Sequence, residues 1–304
     1  MIYQKSLQAA EETLQALSAP ARLKIMALLS EAEEMNINDL AARLGLSTAT
    51  VSVHIKKLAD SGFLKVRSVP ASHGMQKLCS IKEEKLIIDL ISARTLDNKT
   101  TREAEVQIGH FTNYDISPTC LIATTRGYVG EFDDIRYFSY PERYDAAFLC
   151  FGKGYIEYSL PNPLNAGEQP TEIQISFELS SEAPGSNEHY PSDVYFSING
   201  LELGYWTSPG DYGQRRGYLT PAWHSIGLNQ YGLLKILIID DKGTTIDGNT
   251  RLSGVTVDQL GIGYQSKIDF RISSPEGARN PGGVSLFGKG FGNYNQDILV
   301  RMTI

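Results

Sequence analysis

Ser47-Thr-Ala-Thr-Val-Ser-Val-His-Ile-Lys-Lys-Leu58, followed by Ala59-Asp-Ser-Gly62-Phe-Leu64, decides the fold of the first third of this chain. Val51, Ile55 and Leu58 recur at helical spacing, and Ser47 offers the hydroxyl that a helix start needs for its free backbone N–H groups. The spacing predicts a helix whose outer faces carry Thr48, Thr50, Ser52, His54, Lys56 and Lys57. Hydroxyl, imidazole and ammonium groups so arranged can meet phosphates and base edges when a helix lies in a major groove. An ordinary amphipathic helix shows the same polar faces, so the flanking sequence has to decide.

Upstream, Ile37-Asn-Asp-Leu40-Ala-Ala-Arg-Leu44 puts Ile37, Leu40 and Leu44 on one side of a short helix, and Leu44-Gly45-Leu46 makes the turn into the next. Pro20 through Leu29 predicts an earlier helix, with Pro20 in its first turn where a missing N–H costs nothing. Downstream, Phe63–Val69 and Gln76–Ile81 read as short strands around a turn-rich tip, Pro70-Ala-Ser-His-Gly74. Helix, helix-turn-helix and hairpin together form a winged helix. On it Arg67, His73 and Lys77 join the recognition-helix residues as candidate DNA contacts.

Leu17-Ser-Ala-Pro-Ala-Arg-Leu-Lys-Ile25 and the run Ser47 through Leu64 resemble the bacterial ArsR/SmtB repressor family, over roughly residues 5–96. The resemblance implies a double-stranded DNA operator and a homodimer joined through the first and last helices. Here those would be the Leu7/Leu14/Leu17 segment and Lys82–Leu96. Where metal-sensing members carry thiolates, this chain has Glu34-Met-Asn36-Ile-Asn38-Asp39-Leu40, and Lys82–Leu96 contains no histidine. Asparagine does not replace a thiolate toward a soft metal. Neither a metal nor any other cofactor is therefore expected, and a regulatory signal has to enter elsewhere.

The chain has 304 residues, room for about two domains. Its net charge of −7 looks unsuited to DNA until it is divided. Residues 1–96 carry 12 basic against 10 acidic side chains, a net of +2, and the remainder 16 against 25, a net of −9. Within Ser47–Lys77 five basic residues face the single acid Asp60, a local patch for phosphates. The acidic remainder argues against DNA or anionic lipid as its partner. No run approaches the roughly 18 apolar residues of a membrane span, and the start of the chain lacks a signal-peptide core. Cys79, Cys120 and Cys150 are scattered without metal spacing and suit reduced thiols in the cytoplasm.

The polar stretch Thr95–Glu105 marks a boundary, giving a winged-helix domain over 1–96, a linker over 97–105 and a second domain over 106–304. From Val106 onward, alternating or apolar runs occur at Ala146–Phe151, Tyr155–Leu160, Glu172–Leu179, Asp193–Ile198, Leu233–Ile239, Lys267–Ile272 and Gln296–Met302. Turns such as Asn-Gly and Ser-Pro-Gly separate them. The expectation is an all-β sandwich of jelly-roll type behind an α+β winged helix.

Gly204-Tyr-Trp-Thr-Ser-Pro-Gly-Asp-Tyr-Gly-Gln-Arg-Arg-Gly217 reads as one long loop, with Pro221-Ala-Trp-His-Ser225 after it and Gly290–Asp297 near the end. Long loops in compact domains usually carry function. Aromatic planes beside Asp, Asn, Arg and His suit a saccharide. Tyr205, Trp206, Asp211, Arg215, Arg216, Trp223, His224 and Asn295 are therefore the candidate effector residues. The same tryptophans could instead cap the core, and the sandwich could serve dimerisation or protein docking without binding any ligand.

Ser180–Gly185, Trp206–Asp211 and Phe287–Asp297 also resemble the C-terminal extension of a subgroup of ArsR-like regulators, which implies the architecture and no ligand. The carboxylates Glu131, Asp133, Asp134, Glu157, Glu178 and Glu182 could serve hydrolysis. No nucleophile elbow, metalloprotease helix or phosphate loop accompanies them, so no catalytic residue is assigned. Asp240-Asp-Lys-Gly243 with Asp247-Gly-Asn249 departs from calcium-loop spacing and predicts a hairpin turn. The resulting expectation is a cytoplasmic repressor that a small effector, a saccharide, controls.

Overall fold

The computed structural model describes residues 2–4, 10–32, 34–70, 75–82, 86–88 and 100–304. The chain divides into two compact units, Met1–Asn98 and Lys99–Ile304.

The first unit runs β1 (Ile2–Gln4), α1 (Glu11–Leu17), α2 (Pro20–Ser30), β2 (Met35–Asn36), α3 (Ile37–Leu44), α4 (Thr48–Asp60), β3 (Leu64–Pro70), β4 (Met75–Ile81) and β5 (Leu86–Ile88). Asn36 caps α3 by accepting the Asp39 N–H at 2.9 Å, and Gly45 ends it at φ +66°, a left-handed conformation that glycine adopts without strain. Ser47 caps α4 from the Thr50 N–H at 3.1 Å. Val51, Ile55 and Leu58 of α4 are fully or nearly fully buried, packed with Ile25, Leu29, Leu40, Phe63 and Cys79. β3 and β4 form the antiparallel wing, and β2 adds a third strand beside β4. This is a winged helix-turn-helix.

Leu86–Ile88 does not continue a helix, as the apolar stripe of Lys82–Leu96 had suggested. It is a strand paired in parallel with Ile2–Gln4. A Leu-Ile-Ile triplet suits a strand, and pairing with a neighbour overrides a helical stripe. Residues 83–85 and 89–96 of that expected helix, together with Leu7, lie outside the described residues.

The second unit is all-β: β6 (Thr101–Val106), β7 (Asn113–Ala123), β8 (Phe148–Ser159), β9 (Glu172–Ser180), β10 (Ser192–Ile198), β11 (Leu201–Ser208), β12 (Leu233–Ile239), β13 (Thr244–Ile246), β14 (Thr250–Ser253), β15 (Asp269–Ser274), β16 (Val284–Phe287) and β17 (Ile298–Thr303). One layer follows the order β7-β8-β15-β10-β11 and the other β6-β17-β9-β12-β13-β14, all antiparallel. β16 pairs with both β8 and β9, so the two layers are joined at one corner into a nearly closed sandwich.

Strict alternation fills the interior: Ile173, Ile175, Phe177 and Leu179 from β9 meet Val194, Phe196 and Ile198 from β10 and Phe270 and Ile272 from β15. Phe196 and Phe270 stack at 6.3 Å with a 9° interplanar angle.

Two boundaries differ from expectation. Residues 101–105 are strand rather than linker; residues 97–99 lie outside the described residues. Their polar character reflects an edge strand, with Glu103 paired to Arg301, Arg102 to Glu168 and Glu105 to Lys289. Ala146–Phe151 and Tyr155–Leu160 are not two strands but one, β8, which runs through Gly152 and Gly154. At Gly154 (φ +103°) an added Cβ would sit 1.9 Å from the Asp115 carbonyl oxygen of β7. Only glycine allows that close approach.

Glu178 on β9 is fully buried and accepts N–H groups from Gly232 (2.7 Å), Asn293 (2.9 Å) and Tyr294 (2.9 Å). It thereby fixes two long connections to the sheet. Glu178→Ala should lower unfolding stability by on the order of 3 kcal/mol, since several buried donors lose their acceptor. Denaturant titration of the full chain measures this, and a loss below about 1 kcal/mol would show that the loops hold without it.

Candidate functional site

Helix α4 stands on its buried stripe, and residues 47–50, 52, 53, 56 and 57 are exposed. The Ser47 and Thr50 hydroxyls hydrogen-bond each other at 2.8 Å, and the Ser52 hydroxyl donates to the Thr48 carbonyl at 2.8 Å. Several of the hydroxyls expected to be outward donors are thus already engaged within the helix start. His54 is half-buried, and its Nδ1 has no hydrogen-bond partner among the described residues. Lys56 and Lys57 are exposed in the second half of the helix. Val53 is 69% exposed, the residue of this helix that a search for polar groups overlooks.

On the wing, register separates two candidates that the sequence grouped together. Lys77 pairs with Ser68, and Arg67 pairs with Leu78. Neighbouring positions along a strand face opposite sides, so Arg67 and Lys77 lie on opposite faces of the hairpin. Arg67 is also engaged by Glu34, with its Nε at 2.8 Å from Glu34 Oε1 and its second guanidinium nitrogen on the other oxygen. The hydrogen bond from Arg67 holds the Glu34 carboxyl below its usual range and raises Arg67 in turn. A phosphate would have to displace that carboxylate, which demotes Arg67 as a contact. Lys77 and Lys65 are exposed; His73 lies outside the described residues.

In the β unit the eight effector candidates do not form one site. Tyr205 and Trp206 belong to strand β11, not to a loop, and so face opposite sides of the sheet. Tyr205 is 46% exposed beside Tyr195, ring centroids 4.9 Å apart, whereas Trp206 packs on the main core beneath the Lys235 ammonium. Arg216 donates to the Pro221 and His224 carbonyls at 2.7 and 2.9 Å, closing the 216–224 connection on itself.

His224 is fully buried between the Tyr128 hydroxyl (3.1 Å) and the Asn229 carbonyl (3.0 Å). Burial, and then the Arg216 charge, pushes its pKa down. Trp223 donates its indole N–H to the Thr125 carbonyl at 2.9 Å and meets Tyr128 edge-on. Asn295 accepts the Gly290 N–H at 3.2 Å. Arg215 is exposed and lies over Tyr231 (5.3 Å) and Tyr218 (5.8 Å), next to a Tyr212–Tyr231 stack.

The β unit does contain a cleft of about 430 Å³, lined by Gln107, Thr124, Thr125, Tyr144, Asp145 and Lys289 among others. None of the eight candidates lines it, although Trp223 is hydrogen-bonded to its Thr125 wall. The cleft joins the residues just after β7, Thr124–Arg126, to connections far away in sequence, and no local pattern announces it.

Of the six carboxylates named for hydrolysis, all but the exposed Glu131 are occupied, Glu178 and Glu182 by buried donors. Asp133 accepts the Cys120 N–H at 2.9 Å, Asp134 pairs with Arg136, and Glu157 pairs with Arg271. Asp240 accepts the N–H groups of Lys242 and Gly243 in the β12–β13 hairpin, as the turn reading expects. Among the described residues no cluster of three or more His, Cys, Asp or Glu could hold a metal ion, and no helix is long and apolar enough to cross a membrane. Cys79, Cys120 and Cys150 are free and buried, and burial raises each thiol.

The β unit also holds a buried acid pair. Glu182 accepts from Thr119 (3.0 Å), Asn229 (2.8 Å) and Ser285 (2.9 Å), yet burial still pushes it up to about 7. Asp211 is fully buried with one donor, the Ala183 N–H at 3.1 Å. Burial, and then the Glu182 charge, raises it to about 8. Asp193 shows the opposite outcome: burial pushes it up, but donors from Asn280 and Thr207 outweigh that and hold it low.

Residues 19–66 match the model of the family described as bacterial regulatory protein, arsR family. No curated protein matches the chain. Among solved structures, the transcriptional regulator HlyU from Vibrio vulnificus CMCP6 is 27% identical over 25% of this chain and 73% of its own, with a TM-score of 0.21. NolR from Sinorhizobium fredii is 28% identical over 25% of this chain and 70% of its own, TM-score 0.21. The Agl-KA catalytic domain covers 52% of this chain and 21% of its own at 10% identity, TM-score 0.24.

A carboxyl whose folded pKa exceeds its unfolded value stabilises fully below the unfolded pKa and loses that contribution as pH rises through the folded one. With Glu182 at about 7 and Asp211 at about 8, stability should fall as pH rises from ~4 to ~8 and level off above. Asp211→Asn removes one of the two titrations. Its melting temperature should gain on the parent as pH rises from ~4 to ~8. Parallel curves across that window would exclude a buried acid at position 211.

Proposed function

With an N-terminal ArsR-family DNA-binding domain as premise, we propose that this chain is a cytoplasmic, homodimeric transcriptional repressor. Its β unit binds a small effector, a saccharide. The single observation that carries the DNA-binding half is the capped helix α4, exposed along the side opposite its buried stripe, in a unit that matches the family model. Paired recognition helices would enter successive major grooves, and Lys77 on the wing would approach flanking phosphates.

Support for effector binding is the polar cleft of about 430 Å³, whose Gln107 amide and Thr125 hydroxyl suit a polyol beside two ion pairs, Arg126–Asp145 and Lys289–Glu105. The Tyr212–Tyr231 stack under Arg215 offers a second aromatic surface. The chain is proposed not to be an enzyme, because the carboxylates Asp133, Asp134, Glu157, Glu178 and Glu182 are committed to structural partners. An effector shifts operator affinity only by its unequal affinity for the DNA-competent and incompetent states.

Two measurements on the full chain test this. Its affinity for duplex DNA should fall steeply with salt, because phosphate contacts release counterions. In a thermal-shift panel of mono- and oligosaccharides, a sugar at 100 times its Kd should add about 2.7 kcal/mol of stability. The same sugar should change DNA affinity. DNA binding without any sugar response would remove the sensor and leave the β unit as a dimerisation or docking module. No DNA binding would remove the regulator reading itself.

A further inference from the structure

The segment Ser47–Ile55 contains no Arg, Lys, Asn, Gln, Asp or Glu. Those are the side chains that read guanine, adenine or cytosine edges by paired or directional hydrogen bonds. The N-terminal part of a recognition helix is the part that reaches base edges. Here only hydroxyls, one imidazole and apolar groups are available for that task.

Besides the Thr48 hydroxyl and the His54 ring, what it presents is methyl groups. At about 100° per residue, Val53 points about 200° away from the buried Val51, diametrically out from the core. Its 69% exposure agrees. Ala49, one turn earlier, shares that ridge and is also exposed. Their polar neighbours are partly spent. The Ser52 hydroxyl donates to the Thr48 carbonyl, and the Thr50 hydroxyl pairs with that of Ser47. Ser47 meanwhile accepts the Thr50 N–H as the helix cap. The first Lys residues come at Lys56 and Lys57, in the second half of the helix.

An exposed valine on a soluble helix has no packing reason within this unit, because the core stripe of α4 is complete without it. In the major groove the apolar group presented at a base edge is the C5-methyl of thymine. We propose that Val53, with Ala49 beside it, is the specificity-determining contact of this helix and reads thymine methyls. The operator half-site then carries thymine where the outward ridge meets the groove floor. Affinity comes from Lys56, Lys57 and Lys77 on phosphates. The inference rests on the DNA-binding reading above and adds the base class that it selects.

The test starts from half-sites that the full chain selects from a random duplex library, with thymines expected to be enriched. At each enriched thymine, deoxyuridine is then substituted, which deletes only the methyl and leaves every hydrogen-bonding group in place. Removing one buried methyl should weaken binding about fourfold, the equivalent of about 0.8 kcal/mol. Val53→Ala should lower affinity for the thymine duplex and shrink its advantage over the deoxyuridine duplex at the thymine that Val53 meets, because alanine covers less of the methyl. Val53 is exposed, so the variant folds, and an unchanged melting temperature checks this. Selected sites without enriched thymine, or equal binding of both duplexes by the parent chain, would overturn the inference while sequence-specific binding stands. Recovery of no selected site would overturn the DNA-binding reading instead.

Discussion

A carboxylate withdrawn from water must be given donors or keep its proton, and much of the β unit is arranged around that demand. Glu178, Glu182, Asp193, Asp211 and Asp297 are all buried. Glu178 takes backbone N–H groups from two distant connections, Asp193 takes Asn280 and Thr207, and Asp297 takes the Ile108 N–H. Each links a strand or connection to a segment far away in sequence. The long loops, which by composition resemble ligand loops, are thereby fastened to the sandwich. Where donors suffice, as at Asp193, the acid stays charged; where a single N–H serves, as at Asp211, it holds a proton near neutral pH.

The same demand explains why residues suited to sugar chemistry turned out to be structural. Arg216 and His224 are polar groups inside a folded connection, and carbonyls of that connection satisfy them. Asp211 lies close enough to Glu182 for its pKa to feel that charge. What remains exposed is sparser: Tyr205, Tyr218, Arg215, Asn295 and the rim of the cleft. A loop rich in Asp, Arg, His and Trp signals function only if its polar groups are left over after the backbone has been satisfied, and here several are not.

The winged-helix unit relies on a simpler rule. Val51, Ile55 and Leu58 bury one side of α4, so the other side is pushed outward whatever it contains. That outward side proved less polar than its list of hydroxyls suggests, since Ser47, Thr50 and Ser52 bond within the helix and Val53 is the most protruding apolar group. On the wing, a one-residue offset separates Arg67 from Lys77, and Glu34 occupies Arg67.

Taken alone, the sequence determined whatever depends on short-range geometry. The helix-turn-helix follows from apolar spacing at Val51, Ile55 and Leu58, from caps at Asn36 and Ser47, and from the turn at Gly45. The β character of residues beyond Val106 follows from period-two runs such as Glu172–Leu179. Tertiary structure decided everything that requires knowing which segments meet. Leu86–Ile88 became a strand because Ile2–Gln4 lies beside it, and residues 101–105 became an edge strand because Ile298–Thr303 offers them a partner. Trp206 entered a strand through its register with Val194. The cleft and the Glu182–Asp211 pair join residues from widely separated parts of the chain. Local periodicity records only which side of an element is apolar; burial and hydrogen-bond satisfaction depend on distant neighbours, and no local window of sequence contains them.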